Sequence, residues 1–163
     1  MYGIIATWRM ALEGISKADS MLKNNESAAD SIEEAIKAVE DFEYYKSVGY
    51  GGLPNEEMEV ELDAAFMDGD TLEFGCVGGI KDFANPVSIA RSLMHYDANN
   101  FLIGQGAEKY ASRHGFERKT MLTDRAKIHY HNRTKEITNT ELKPYSGHDT
   151  CLLYTSDAAD DMQ

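Results

Sequence analysis

The sequence predicts an α+β fold, an antiparallel sheet with helices packed on it. Three observations lead there. A short apolar strand is followed by two amphipathic stretches at helical spacing, two apolar runs flank an Asp-Gly turn, and the rest returns mostly to helical periodicity. No strict strand-helix-strand alternation is visible, and no segment repeats.

Residues 2–8 form a compact apolar run, read as a buried strand. Ala11, Ile15, Ala18 and Leu22 then recur at helical spacing, which predicts a helix over 9–23. Ser27 suits an N-cap for a second helix whose buried stripe is Ile32, Ala35, Ile36, Val39 and Phe42. Residues 47–55 carry too many glycines and a proline to be regular, and mark a loop. The runs 60–67 and 72–80 around Asp68-Gly69 predict a hairpin. Gly75, Gly78 and Gly79 in its second strand suggest close approach by another backbone or layer. Asn85-Pro86 places proline in the first turn of a helix running to about Tyr96. A strand over 100–103, a helix over 107–114 closed by Gly115, and a polar helix from Asp124 to about Ile137 complete the pattern. Residues 143–147 read as an exposed, non-helical approach to the segment that follows.

At 163 residues the chain is long enough for one domain with a sizeable core. A net charge of −12, with no basic cluster, argues against nucleic-acid binding. Glu33, Glu34, Glu40, Asp41 and Glu43 read as a solvated acidic face. Cys76 and Cys151 make neither a metal pattern nor a disulfide framework, and Cys76 in its apolar run reads as a small buried hydrophobe. His129 and His131, two apart on a helix, face different directions and make a poor metal pair. Asp63 between apolar residues reads as a satisfied structural carboxylate. No apolar run spans a bilayer and no signal-peptide layout opens the chain, so a cytoplasmic setting without membrane partners is expected. No cofactor and no metal are expected.

The most informative residues are Gly147-His148-Asp149-Thr150. A threonine hydroxyl is a weak nucleophile unless a base adjoins it, and an N-terminal threonine carries that base as its own α-amine. Cutting the Asp149–Thr150 bond would therefore release a latent nucleophile.

Five stretches in this order resemble one family. They are 3–8 (Gly-Ile-Ile-Ala-Thr-Trp), 47–55 (Ser-Val-Gly-Tyr-Gly-Gly-Leu-Pro-Asn), 60–69, 84–86 (Ala-Asn-Pro) and 147–150. Together they resemble the α-subunit region of glycosylasparaginase (aspartylglucosaminidase), within the isoaspartyl peptidase/asparaginase group of N-terminal nucleophile hydrolases. The resemblance implies that residues 1–149 are an α-subunit-like part of a four-layer αββα sandwich, truncated before most of the β subunit, which starts at Thr150. It implies self-cleavage by attack of the Thr150 hydroxyl on the Asp149 carbonyl, with His148 and Asp149 serving that step. Thr150 would then hydrolyse the side-chain amide of a glycosylated asparagine through a β-aspartyl intermediate. Trp8, which on residues alone is more often a core anchor, would by the resemblance line the substrate pocket. The implied partners are an asparagine-linked amino-sugar, the chain's own β subunit, and a homo-oligomer of αβ units.

Beyond Thr150 the resemblance stops. Residues 151–163 instead resemble the one-frame translation of a common transposase-type sequencing adaptor, and are set aside as read-through rather than a domain. Without their three aspartates the net charge is −9, so the acidic character survives. The residues that complete the oxyanion hole and hold the substrate would lie in the missing half, which leaves the fragment itself inactive. Two other readings stay open: a non-catalytic scaffold half pairing with a separately encoded chain, and specificity for plain asparagine or isoaspartyl peptides.

Overall fold

The computed structural model describes residues 2–139 and 153–157. The chain divides into two compact units, Met1–Val39 with Tyr145–Gln163, and Glu40–Pro144. The architecture is α+β, as the pattern of elements predicts. Among the described residues, no helix is long and apolar enough to cross a membrane.

In the first unit, strand β1 (Tyr2–Ala6) leads through a 3₁₀ turn at Arg9–Ala11 into helix α1 (Leu12–Lys23). The predicted helix over 9–23 thus begins as a tighter turn, closed by the Ala11 N–H donating to the Trp8 carbonyl at 3.0 Å. Helix α2 (Ala28–Glu40) starts where the sequence places its cap: the Asp30 N–H donates to Ser27 Oγ at 3.0 Å. Small residues let α1 and α2 approach closely. A side chain at Gly14 would run into the Ala35 carbonyl, and Ala11, Ala18, Ser31, Ala35 and Val39 are buried. Two polar ties add to this, Lys17 to Glu34 between the helices and the Tyr2 hydroxyl to Asp19 at 2.8 Å. Strand β5 (Leu153–Asp157) pairs antiparallel with β1, Ala6 opposite Leu153 and Tyr2 opposite Asp157. Backbone ladder bonds of this kind depend little on side-chain identity.

In the second unit, β2 (Glu61–Met67), β3 (Phe74–Lys81) and β4 (Phe101–Ile103) form a sheet in the order β2-β3-β4. The hairpin around Asp68 is present, with a longer turn than a two-residue Asp-Gly connection. Asp68 Oδ1 accepts the Asp70 and Thr71 N–H groups, and the Asp68 N–H reaches the Glu73 carbonyl at 2.9 Å. β2 and β3 are antiparallel, but β3 and β4 are parallel, so the sheet is mixed where sequence suggests antiparallel. The cause is helix α3 (Pro86–Leu93), a crossover that brings the chain back for a parallel strand.

Helix α3 and helix α4 (Gly104–Arg113) pack on one face of this sheet. Gly75 allows it: a Cβ there would meet the Ala90 carbonyl, so the predicted close backbone approach holds at Gly75, whereas Gly78 faces only side chains and Gly79 faces open space. The core consists of Leu62, Phe66, Val77 and Ile80 from the sheet with Val87, Ile89, Leu93, Ala107 and Met121. Gly115 closes α4 as expected, the Phe116 N–H bonding back to the Ala111 carbonyl at 3.1 Å. Helix α5 (Asp124–Asn139) is capped by Thr123, whose Oγ1 accepts the Ala126 N–H at 3.2 Å.

Burial expectations change at several positions. The run at 2–8, read as a buried strand, is a strand only to Ala6 and leaves Tyr2 (38%) and Ile5 (63%) exposed. Phe42 lies beyond the end of α2 and is 42% exposed, stacking near Tyr44 and Tyr45 instead of joining the buried stripe. Cys76 is half-buried, not fully enclosed, and that partial burial raises its thiol pKa.

Candidate nucleophile site

Strand β1 carries the chain directly to Trp8, which holds an extended backbone (φ −125°, ψ 144°) before the 3₁₀ turn. Trp8 is half-buried. His148, Asp149 and Thr150 lie outside the described residues, as does the approach at 143–147. What the structure describes is the ladder between the two segments. Ala6 is the last β1 residue paired and Leu153 the first of β5. Trp8 follows that end of the ladder by two positions in sequence, and Thr150 precedes it by three.

The matched loop 47–55 is held in the second unit by a network that sequence reading missed at its centre, Glu40. That residue reads as part of a solvated face, yet it is 3% exposed. Its carboxylate accepts the Val87 N–H at 3.2 Å and the Asn85 Nδ2 at 3.4 Å. Asn85 has a left-handed backbone and no side-chain cap of its own, so Glu40, distant in sequence, meets the first turn of α3. A carboxylate there is favoured by the unpaired N–H groups and the helix dipole. The Glu40 carbonyl also accepts the Tyr50 N–H at 2.7 Å. Gly49, at φ +56°, passes so close that a Cβ would overlap the Glu40 backbone. The one sequence signal for Glu40 was its place beside the Ser31–Ala35–Val39 stripe at the end of α2.

The rest of the loop is similarly tied. The Gly51 N–H donates to the Met121 carbonyl at 2.9 Å, and Asn55 Oδ1 accepts the N–H groups of Glu57 and Glu59, each at 3.0 Å. Asp63 fits the structural reading: it faces a bulge in which Gly78 and Gly79 oppose one residue, and accepts the Gly79 N–H at 2.7 Å. Among the described residues, no group of three or more His, Cys, Asp and Glu side chains is placed to hold a metal ion.

The sequence profile of the asparaginase family matches residues 6–160. An N(4)-(β-N-acetylglucosaminyl)-L-asparaginase of Elizabethkingia miricola is 30% identical over 95% of this chain and 45% of its own length. An isoaspartyl peptidase/L-asparaginase of Rattus norvegicus is 37% identical over 72% of this chain and 37% of its own. A plant-type L-asparaginase of Thermococcus kodakarensis is 38% identical over 74% of this chain and 35% of its own. The chain thus spans less than half the length of these curated relatives. With the family profile covering nearly all of it, this chain belongs to the asparaginase family.

Proposed function

We propose that this chain is the α-subunit region, with the nucleophile, of a self-cleaving amidohydrolase acting on the side-chain amide of asparagine or glycosylasparagine. One observation carries the reading: the asparaginase family profile matches residues 6–160, a span that includes Trp8 and Gly147-His148-Asp149-Thr150.

The Thr150 hydroxyl attacks the Asp149 carbonyl carbon, the peptide C–N bond breaks, and an ester forms while the Thr150 amine is released. Water hydrolyses the ester. His148 and Asp149 serve this step. In turnover the hydroxyl attacks the substrate's side-chain carbonyl while the α-amine takes its proton. The amine leaving group departs with that proton, and water cleaves the β-aspartyl ester to give aspartate. Trp8 contributes to the substrate pocket. The oxyanion donors and the groups that hold the substrate come from the β subunit, so this chain alone is inactive. The mature enzyme pairs the α region with its own β subunit, and αβ units associate further.

The relatives named isoaspartyl peptidase and plant-type asparaginase, at 37% and 38% identity, favour a second specificity. Aspartate release from N4-(β-N-acetylglucosaminyl)-L-asparagine, L-asparagine and a β-aspartyl dipeptide, assayed on the longest protein the gene encodes, separates the readings. Release from none of the three contradicts the enzyme reading and leaves the scaffold half.

A further inference from the structure

Away from the nucleophile segment, the second unit holds a cluster of positive charge that the proposed chemistry does not use. Arg125 and His129 are one turn apart on α5 and so share a face. The Arg125 guanidinium lies over the Tyr44 ring, 4.3 Å from its centroid. That contact sets the segment around residues 42–46 against the Arg125–His129 face. Lys46 follows Tyr44 by two residues and is exposed. Lys17, Lys23, Lys37, Lys81 and Lys127 each pair with a carboxylate. Among the described residues, Arg125 and Lys46 pair with none. Among the described side chains of the same two elements, Asp124 is taken by Lys127, and Glu43 pairs with neither cation. Partial burial, and then the charges of Lys46 and Arg125, hold His129 below the ordinary histidine pKa. The Tyr44–Arg125 contact brings Lys46, two residues beyond Tyr44, to the neighbourhood of the same helix face.

We propose that Lys46, Arg125 and His129 form a binding site for a compact oxyanion, floored by the Tyr44 ring. The guanidinium carbon sits over the Tyr44 ring, and a guanidinium held this way offers a planar fork of N–H donors that phosphate and carboxylate oxygens match. The ligand is compact because the chain carries −12 overall. That charge repels an extended polyanion, whereas a small ion feels mainly the charges within a Debye length, about 8–10 Å. A bound anion favours protonated His129, so occupancy raises the titration of that residue, and affinity grows as the pH falls through it.

The test is an NMR titration of His129 in the full chain, with inorganic phosphate or acetate added and chloride adjusted to constant ionic strength. The expected result is an upward movement of the His129 midpoint with one or both oxyanions. A response to phosphate alone assigns a phosphate ligand, and one to acetate alone a carboxylate. Arg125→Gln should weaken the response roughly tenfold, the loss of a charge-assisted bond. Arg125→Lys should retain part of it. Lys46→Gln, at an exposed position, provides a second variant that leaves the fold intact. An unmoved midpoint, an equal movement with chloride alone, or an unchanged response in both Gln variants overturns the proposal.

Discussion

Glu40 ties the first turn of α3 to the loop at 47–55. A nearly buried carboxylate is destabilising unless its oxygens are met, and here Val87 and Asn85 meet them. Glu40→Ala leaves those donors facing an apolar gap and should cost about 3 kcal/mol, against about 1–2 kcal/mol for Glu40→Gln. Hydrogen exchange at the Val87 amide reads this directly: it should accelerate strongly in the alanine variant and less in the glutamine one. Gly49→Ala forces a side chain into a left-handed backbone against the Glu40 carbonyl. The expected loss is at least about 2 kcal/mol, measurable by the same exchange at the Tyr50 amide. Unchanged protection in both variants would remove Glu40 from the centre of this network. Neither effect was legible in the sequence, where Glu40 sits in an acidic run. Its burial follows from a partner 47 residues away, a separation that periodicity cannot register.

At the scale of elements, local chemistry was legible where it is self-contained. Ser27 caps α2, Pro86 opens α3 and Gly115 ends α4, each through groups within a few residues. The parallel β3–β4 pairing was not, because strand direction depends on where a crossover helix returns the chain. Phe42 failed for a related reason: α2 ends at Glu40, so the helical stripe never reaches it. The ties between elements also set acid sensitivity. The bond from Lys17, and then that from Lys37, lowers the Glu34 pKa. A depressed carboxylate stabilises the fold above its unfolded value, about 4.3, and that stability is lost as pH falls through the lower folded value. Glu34→Gln should therefore cost the first unit less than about 1 kcal/mol at neutral pH, given its exposure, and flatten its acid unfolding. The fluorescence of Trp8, the single tryptophan, follows that unit. Identical acid profiles for variant and parent would rule out the Lys17–Glu34 tie as a stabilising contact.

At the scale of the molecule, the second unit covers one sheet face with helices and leaves the other apolar and open. Met67 (58%), Phe74 (45%), Phe101 (54%) and Ile103 (66%) are exposed. An apolar face of this kind promotes dye binding and self-association. Phe101→Ser with Ile103→Thr should reduce both, measured by anilinonaphthalene sulfonate fluorescence and sedimentation, with little change in stability. Equal dye binding in parent and variant would place the apolar surface elsewhere. The family was legible in sequence from five short stretches taken in order, and the profile match and relatives at 30–38% identity agree with it. The segment 151–163 resists such reading, since its residues resemble translated adaptor while 153–157 still pair with β1. Adaptor-free sequencing across codon 150 should run on into a family-like apolar strand, and a stop after Gln163 would instead favour the scaffold reading. If Thr150 is a latent nucleophile released from Asp149, intact-mass spectrometry of the protein expressed from its gene shows it. Two polypeptides divided at Asp149–Thr150 are expected, and a single uncut chain for Thr150→Ala. An uncut parent protein, or cleavage that persists in the alanine variant, would contradict it.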